Sequence, residues 1–272
     1  MDNLFVVSSA SVPGSHHRSM AKNNQDAWAV DKNEQALVAI VCDGCGSGAH
    51  SEVGAQLAGP FIVKTLLNKL AKAPADFEKN LEETRTELHC FLRQTATSLN
   101  ESSAAAVLEY FLFTVVGVII TERQTVIFGL GDGLFALNGE VTQIDENNEP
   151  NYLAYGLLSE EKARQKFVIR KIIDTGAIQS LLIATDGLAE WEEVKNRKIT
   201  ICGREQMVGG IEQFFVEDKY KQNSTALQKR LNVIGLNHKL LADDATVILI
   251  RSCRDTLFCP RPEKGGENGC LS

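Results

Sequence analysis

Strand-like runs rich in β-branched residues come in blocks along this chain, and long helical patterns come in pairs between the blocks, an order that few architectures satisfy. The runs lie at 4–12, 26–30 and 36–43, then at 111–120, 125–132, 133–144, 167–173 and 178–186, and finally at 245–250. Residues 50–72 and 75–99 form the first helical pair, around Pro74. In its second member Phe77, Leu81, Leu88, Phe91 and Leu92 recur at near-helical spacing with charge between them, a stripe suited to covering a sheet. A second helical pair is expected near 204–216 and 223–235. Asn138-Gly139, inside the run 133–144, is the strongest short hairpin signal. Strands in blocks with segregated helices do not make an alternating βαβ doubly wound sheet. They predict an α+β fold, a four-layer αββα sandwich of two antiparallel β-sheets flanked by helix pairs.

The 272 residues suffice for one large domain, placed at 1–252, and the Pro-, Gly- and polar-rich segment 253–272 reads as a disordered tail. A net charge of −7 without a long Lys/Arg run argues against nucleic acid as a partner. The most apolar stretch, 110–120, is too short to span a bilayer, and the N-terminal MDNLFVVSSASVPGSHH lacks the basic and apolar regions of a signal peptide. A cytoplasmic protein without a membrane partner is expected. Cys42 and Cys45 form a lone C-x-x-C with no second pair at zinc-ligand spacing, so reduced thiols are expected, with Cys42 filling the core.

Residues 40–59, IVCDGCGSGAHSEVGAQLAG, join a strand-like run to a helix through Asp43 and glycines at 44, 46 and 48. A P-loop would need a Lys-Ser/Thr pair after its last glycine, and the dinucleotide fingerprint a different glycine spacing; neither is present. An ordinary Asp-Gly turn would explain this stretch taken alone. It does not explain why Asp26, Asp132, Asp186 and Asp243 also stand at or beside strand boundaries. An aspartate leaving an apolar strand must find a partner for its charge. Hard divalent cations are the natural partner, because carboxylates can bridge two ions about 3.5–4 Å apart and make a bound water nucleophilic.

The segments NNQDA (23–27), VCDGCGSG (41–48), GLGDG (129–133), IATDGLAE (183–190) and ADDATVILI (242–250) resemble, in order and spacing, the motifs of the type 2C metal-dependent protein phosphatases, most closely the compact bacterial form. The resemblance spans roughly residues 10 to 251 and implies the same sandwich. It implies hydrolysis of phosphoserine and phosphothreonine on proteins by direct attack of a water bridging two Mn²⁺ or Mg²⁺ ions, with no phosphoenzyme. Carried over motif by motif, Asp43 would bridge both ions and the Gly44 carbonyl would ligate one of them. Asp186 and Asp243 would complete that ion's protein ligands, Asp26 would orient water on the metal, and Asp132 would fall at the position of a third, weaker ion. A phosphoprotein substrate and a cognate Ser/Thr kinase are the partners implied.

The chain also departs from the family pattern. Gln25 stands where a Glu usually supports the second metal, and Ala21 where many members carry an Arg that grips phosphate. His17, Arg18 and Lys22 are the candidates to replace that Arg, and His17 matches the His of a G-x-x-H entry found in compact members, which makes it a catalytic candidate as well. Cys45 stands where the eukaryotic branch has a proton-donating His, with His50 nearby at a helix start. These departures support an alternative, a catalytically weak phosphatase-like module that binds phosphoproteins or a partner kinase.

Overall fold

The computed structural model describes residues 4–99, 103–145, 152–159 and 165–254. The N-terminal third runs β1 (Phe5–Val12), α1 (Ser15–Ser19), β2 (Ala27–Lys32), β3 (Ala36–Gly44), α2 (Ser51–Leu70) and α3 (Phe77–Ser98). The middle runs α4 (Ser103–Tyr110), β4 (Phe113–Thr121), β5 (Gln124–Leu130), β6 (Gly133–Leu137), β7 (Glu140–Ile144), β8 (Val168–Asp174) and β9 (Ser180–Ala184). The remainder is α5 (Glu190–Val194), β10 (Lys198–Ile201), β11 (Arg204–Met207), α6 (Gln213–Val216), α7 (Lys219–Gln222), α8 (Ala226–Leu231) and β12 (Ala245–Ser252). Two antiparallel five-stranded sheets result: sheet I in the order β1-β12-β9-β6-β7 and sheet II in the order β2-β3-β4-β5-β8.

Three separate apolar cores define the four layers. Val38, Ile40 and Cys42 of β3 face α2 and α3, while Leu37, Ala39 and Val41 of the same strand face sheet I. On sheet I, Leu182 and Leu249 lie under α5 to α8, and Ile183 and Ile250 face sheet II. A central strand here is buried on both faces, so β3 and β4 read as continuous apolar runs instead of alternating ones. The β6–β7 hairpin turns at Asn138 and Gly139 with φ of +51° and +93°, the left-handed pair that its Asn-Gly signal demands.

One sequence expectation is corrected. Residues 204–216 do not form a helix: 198–207 is a two-stranded ribbon, β10 paired with β11, and only Gln213–Val216 is helical. The ribbon turns at Cys202-Gly203, with φ of +49° and +75°, and the helical pattern breaks at Gly209-Gly210. The sequence reading also did not anticipate α1 and α4. The tail from residue 255 onward lies outside the described residues.

Candidate metal centre

Antiparallel pairing brings the carboxylates together. Ala27 pairs with Cys42, which sets Asp26 beside the end of β3 where Asp43 stands. Ala184 pairs with both Val247 and Leu134, so the residues after β9, before β12 and before β6 emerge at one end of sheet I. Asp186, Asp243 and Asp132 occupy those three places.

The electrostatics follow from this convergence. Burial, then the charge of Asp244, with a smaller contribution from Asp186, holds the Asp26 carboxyl well above the usual carboxylate range. Asp43 is pushed up in the same sense by burial and by the fields of Asp26, Asp186 and Asp243, and it shares a hydrogen bond with Asp186. Asp243 is raised by partial burial of its carboxyl and by Asp186 and Asp244, against the opposing pull of the Asp244 N–H and of His17. Without a counter-charge such a cluster keeps protons it would otherwise lose. The fields of Asp132 and Asp43 both act on Tyr152, a buried residue whose hydroxyl pKa is raised chiefly by burial.

The residues present fit hard divalent cations. The donors are carboxylates and backbone carbonyls, and among the described residues Asp26 Oδ1 is sealed from water with no hydrogen-bond partner, while its Oδ2 accepts from Thr185 Oγ1 at 2.8 Å. Gln25 Oε1 is a second buried acceptor without a partner among the described residues. Gly44 must be glycine: a Cβ there would stand 2.5 Å from the Gln25 carbonyl oxygen.

The glycine loop after β3 spends much of its backbone on contacts within the fold. Its N–H groups at Gly44, Cys45 and Gly48 are consumed by the carbonyls of Gln25, Leu112 and Cys45. Its carbonyls are held as well, Gly46 by Lys22 Nζ at 2.9 Å, Gly48 by Gln25 Nε2 at 2.9 Å, and Cys45 by Ser51 Oγ at 3.0 Å. Lys22 therefore lies across the loop. Arg18 turns away, donating to the Leu236 carbonyl at 3.1 Å. Ala21 is exposed in the left-handed region at φ +54°. Cys45 is half-buried, and although burial works to raise its pKa, hydrogen bonds with Ser47, Tyr152 and the loop backbone bring the thiol below its ordinary value. His50 is exposed and stacked on Tyr110 with ring centroids 5.6 Å apart.

The residue that sequence reasoning missed is Asp244. It is buried, and its carboxylate accepts from Gly14 N at 2.7 Å, from Gln25 N at 2.6 Å and from His17 Nδ1 at 2.8 Å. An ionised carboxylate only accepts, so Nδ1 carries the proton and Nε2 is free to face the centre. That nitrogen looks toward the loop, 3.9 Å from where a Cβ on Gly46 would stand. The motif ADDAT contains Asp244 next to Asp243; nothing in its spacing separates the one that anchors the N-terminal segment from the more exposed one that faces the cluster. His17, Asp243 and Asp244 have ligand atoms within 4.8 Å of one another. Tyr152 was likewise missed, and no motif marks it.

The protein phosphatase 2C family profile matches residues 13–241, and the chain belongs to that family of metal-dependent serine/threonine phosphatases. Among solved structures, a bacterial serine phosphatase is similar at 17% identity and a TM-score of 0.59, covering 92% of this chain and 99% of its own. A C. elegans sex determining protein superposes with a TM-score of 0.59 at 14% identity over 92% of this chain and 65% of its own, and RsbX in complex with magnesium with 0.50 at 15% over 93% and 97%. At these identities the likeness is one of fold. Among curated proteins none matches the sequence. Among the described residues, no helix is long and apolar enough to cross a membrane.

Proposed function

We propose that the chain hydrolyses phosphoserine and phosphothreonine on proteins at a centre of two divalent ions, Mn²⁺ or Mg²⁺, held at the aspartate cluster. The observation that carries this reading is the convergence of Asp26, Asp43, Asp186 and Asp243 at one end of the sandwich, mutually repelling and with a buried carboxylate oxygen left without a partner. Asp43 and the Gly44 carbonyl would hold ions, with Asp186 and Asp243 completing the set and Asp132 at the margin for a weaker third. Bound there, divalent ions supply positive charge against the phosphate and acidify water.

The chain's own groups do the rest. Asp26, fixed by Thr185, accepts a hydrogen bond from the water that attacks phosphorus. Lys22 lies over the loop within reach of a substrate phosphate, and His17, oriented through Nδ1 by Asp244, presents Nε2 to the phosphate or to the leaving serine oxygen. Arg18 contributes to phosphate binding only if it leaves the Leu236 carbonyl. A phosphoprotein is the substrate, and a cognate kinase would be the enzyme that makes it.

The test is turnover of p-nitrophenyl phosphate and a phosphothreonine peptide with Mn²⁺, with Mg²⁺ and with EDTA, in the wild type and in Asp43→Asn and Asp186→Asn. Each variant should lose at least 100-fold in kcat/KM with its fold intact. Near wild-type turnover in either would overturn the ligand assignment. The alternative, a weak binding module, rests on Gln25 and Ala21; metal-independent or absent turnover together with retained phosphopeptide binding would favour it.

A further inference from the structure

β12 begins at the aspartate cluster and ends at a second polar cavity of about 470 Å³, roughly 20 Å away at about 3.3 Å per residue. Ser180, Arg251, Val216, Asp218, Lys221 and the Asn138-Gly139 turn contribute to its lining. Ser180 and Arg251 are register partners on β9 and β12, so their side chains leave the same face of sheet I, the one covered by α6 to α8.

Lys221 singles this cavity out. Its stem is packed away, the residue being 9% exposed, and among the described residues its ammonium, which reaches the cavity, makes no ion pair and no hydrogen bond. Its neighbouring cations are all engaged: Lys219 with Glu217 and over the Tyr220 ring, Lys195 with Glu212 at 2.9 Å, and Arg230 with Gln213 Oε1 at 3.1 Å. Arg251 donates Nη1 to the Phe214 carbonyl at 3.0 Å and keeps its other guanidinium donors. Glu212, which also lines the cavity, is neutralised by Lys195, so Asp218 alone opposes Lys221 and Arg251. The balance is positive. An ammonium and a guanidinium opening on one cavity against a single carboxylate attract an incoming anion.

We propose that this cavity is a second anion site, taking a tetrahedral phosphate group between the Lys221 ammonium and the Arg251 guanidinium, with the Ser180 hydroxyl as a further donor. A point charge, a planar fork and a hydroxyl arriving from two layers of the sandwich suit three phosphate oxygens better than one flat carboxylate. The volume is in the range of ligand pockets, about 300–1,000 Å³, and admits a phosphorylated side chain as well as free orthophosphate. The site stands whether or not the metal-centre reading holds.

The experiment uses the full chain in EDTA, where the unneutralised aspartates repel anions from the other end. Calorimetric titrations compare orthophosphate, a peptide carrying a non-hydrolysable phosphonate in place of phosphoserine, and the same peptide with serine. Saturable binding of orthophosphate or of the phosphonate peptide, weakened at least tenfold by Lys221→Met, is the expected result. A phosphonate peptide that binds at least tenfold tighter than orthophosphate identifies docking of phosphorylated protein; equal affinities identify free phosphate as the ligand. No saturable binding of either, or binding unchanged in Lys221→Met, overturns the proposal. Should Lys221→Met fail to fold, Ser180→Asp, which adds a repelling carboxylate to the cavity, gives the same decision: retained affinity would sink the site.

Discussion

At the scale of single residues, the sharpest division of labour is between the adjacent Asp243 and Asp244. Asp244 has its charge met by two backbone N–H groups and an imidazole, and in meeting them it joins residues 14, 17 and 25 to the start of β12. Asp243 accepts from the Asp244 N–H, and its own repulsion by Asp186 is left for a cation to answer. The two should therefore fail differently. Asp244→Ala leaves three buried donors unmet, which costs about 3 kcal/mol or more. In a domain of this size, each kcal/mol moves Tm by about 2–4 °C, so a fall of roughly 6–12 °C is expected. Asp243→Ala should leave Tm within a few degrees of wild type while weakening Mn²⁺ binding at least tenfold by calorimetry. If Asp244→Ala melted like wild type and Asp243→Ala did not, their roles would be reversed. Gln25 shows the same economy, its amide nitrogen spent on the Gly48 carbonyl and only Oε1 left to face a cation.

Among elements, the turn after β9 is packed most tightly against its neighbour. A Cβ on Gly187 would stand 1.9 Å from the Asp244 carbonyl oxygen and 2.9 Å from its carbonyl carbon, and backbone on both sides cannot yield as a side-chain tip could. Gly187→Ala should push Asp186 and the Asp243-Asp244 turn apart. The expected outcome is a loss of about 1–3 kcal/mol or more in chemical denaturation, with Mn²⁺ affinity falling further than stability alone explains. An alanine variant that binds Mn²⁺ as tightly as wild type would show that the two turns need not touch. Legibility in the sequence follows the same line. β3, β4 and the Asn138-Gly139 hairpin were readable because burial and turn chemistry act locally on them. β10 and β11 were not: four-residue strands around a Cys-Gly turn carry too little pattern to outweigh a nearby helical periodicity. The aspartates could be found as strand-end residues. Asp244's partners, from 219 to 230 residues away in the chain, could not.

For the molecule as a whole, the cluster links stability to pH and to metal. Asp26 and Asp43 hold their protons more tightly folded than unfolded, first through burial and then through neighbouring aspartates. A folded pKa above the unfolded value of about 4 means that the folded state binds more protons between the two. Metal-free stability should therefore fall as pH rises from about 4 through the raised folded values. Other groups act in the opposite sense. Glu82, Glu83 and Glu212 are lowered by hydrogen bonds from Arg85, Lys69 and Lys195, so their contribution is present above about 4.3 and disappears in acid. His89 is lowered by burial, which disfavours the fold in acid and relents as pH rises past about 6.5. The raw pH profile therefore mixes signs, and the informative quantity is the Tm difference between wild type and Asp43→Asn, in which groups remote from the cluster cancel and only Asp43 and the aspartates it interacts with remain. In EDTA that difference should widen from pH 5 to pH 8, with Asp43→Asn the more stable by roughly 5 °C at the upper end, where about 2–4 °C corresponds to each kcal/mol. Millimolar Mn²⁺ should reverse its sign, because an ion bound only by the folded state stabilises it and the asparagine variant cannot hold that ion well. A difference that stays flat with pH and does not respond to Mn²⁺ would mean that Asp43 carries no unanswered charge, and the cluster would then be a structural hydrogen-bond network.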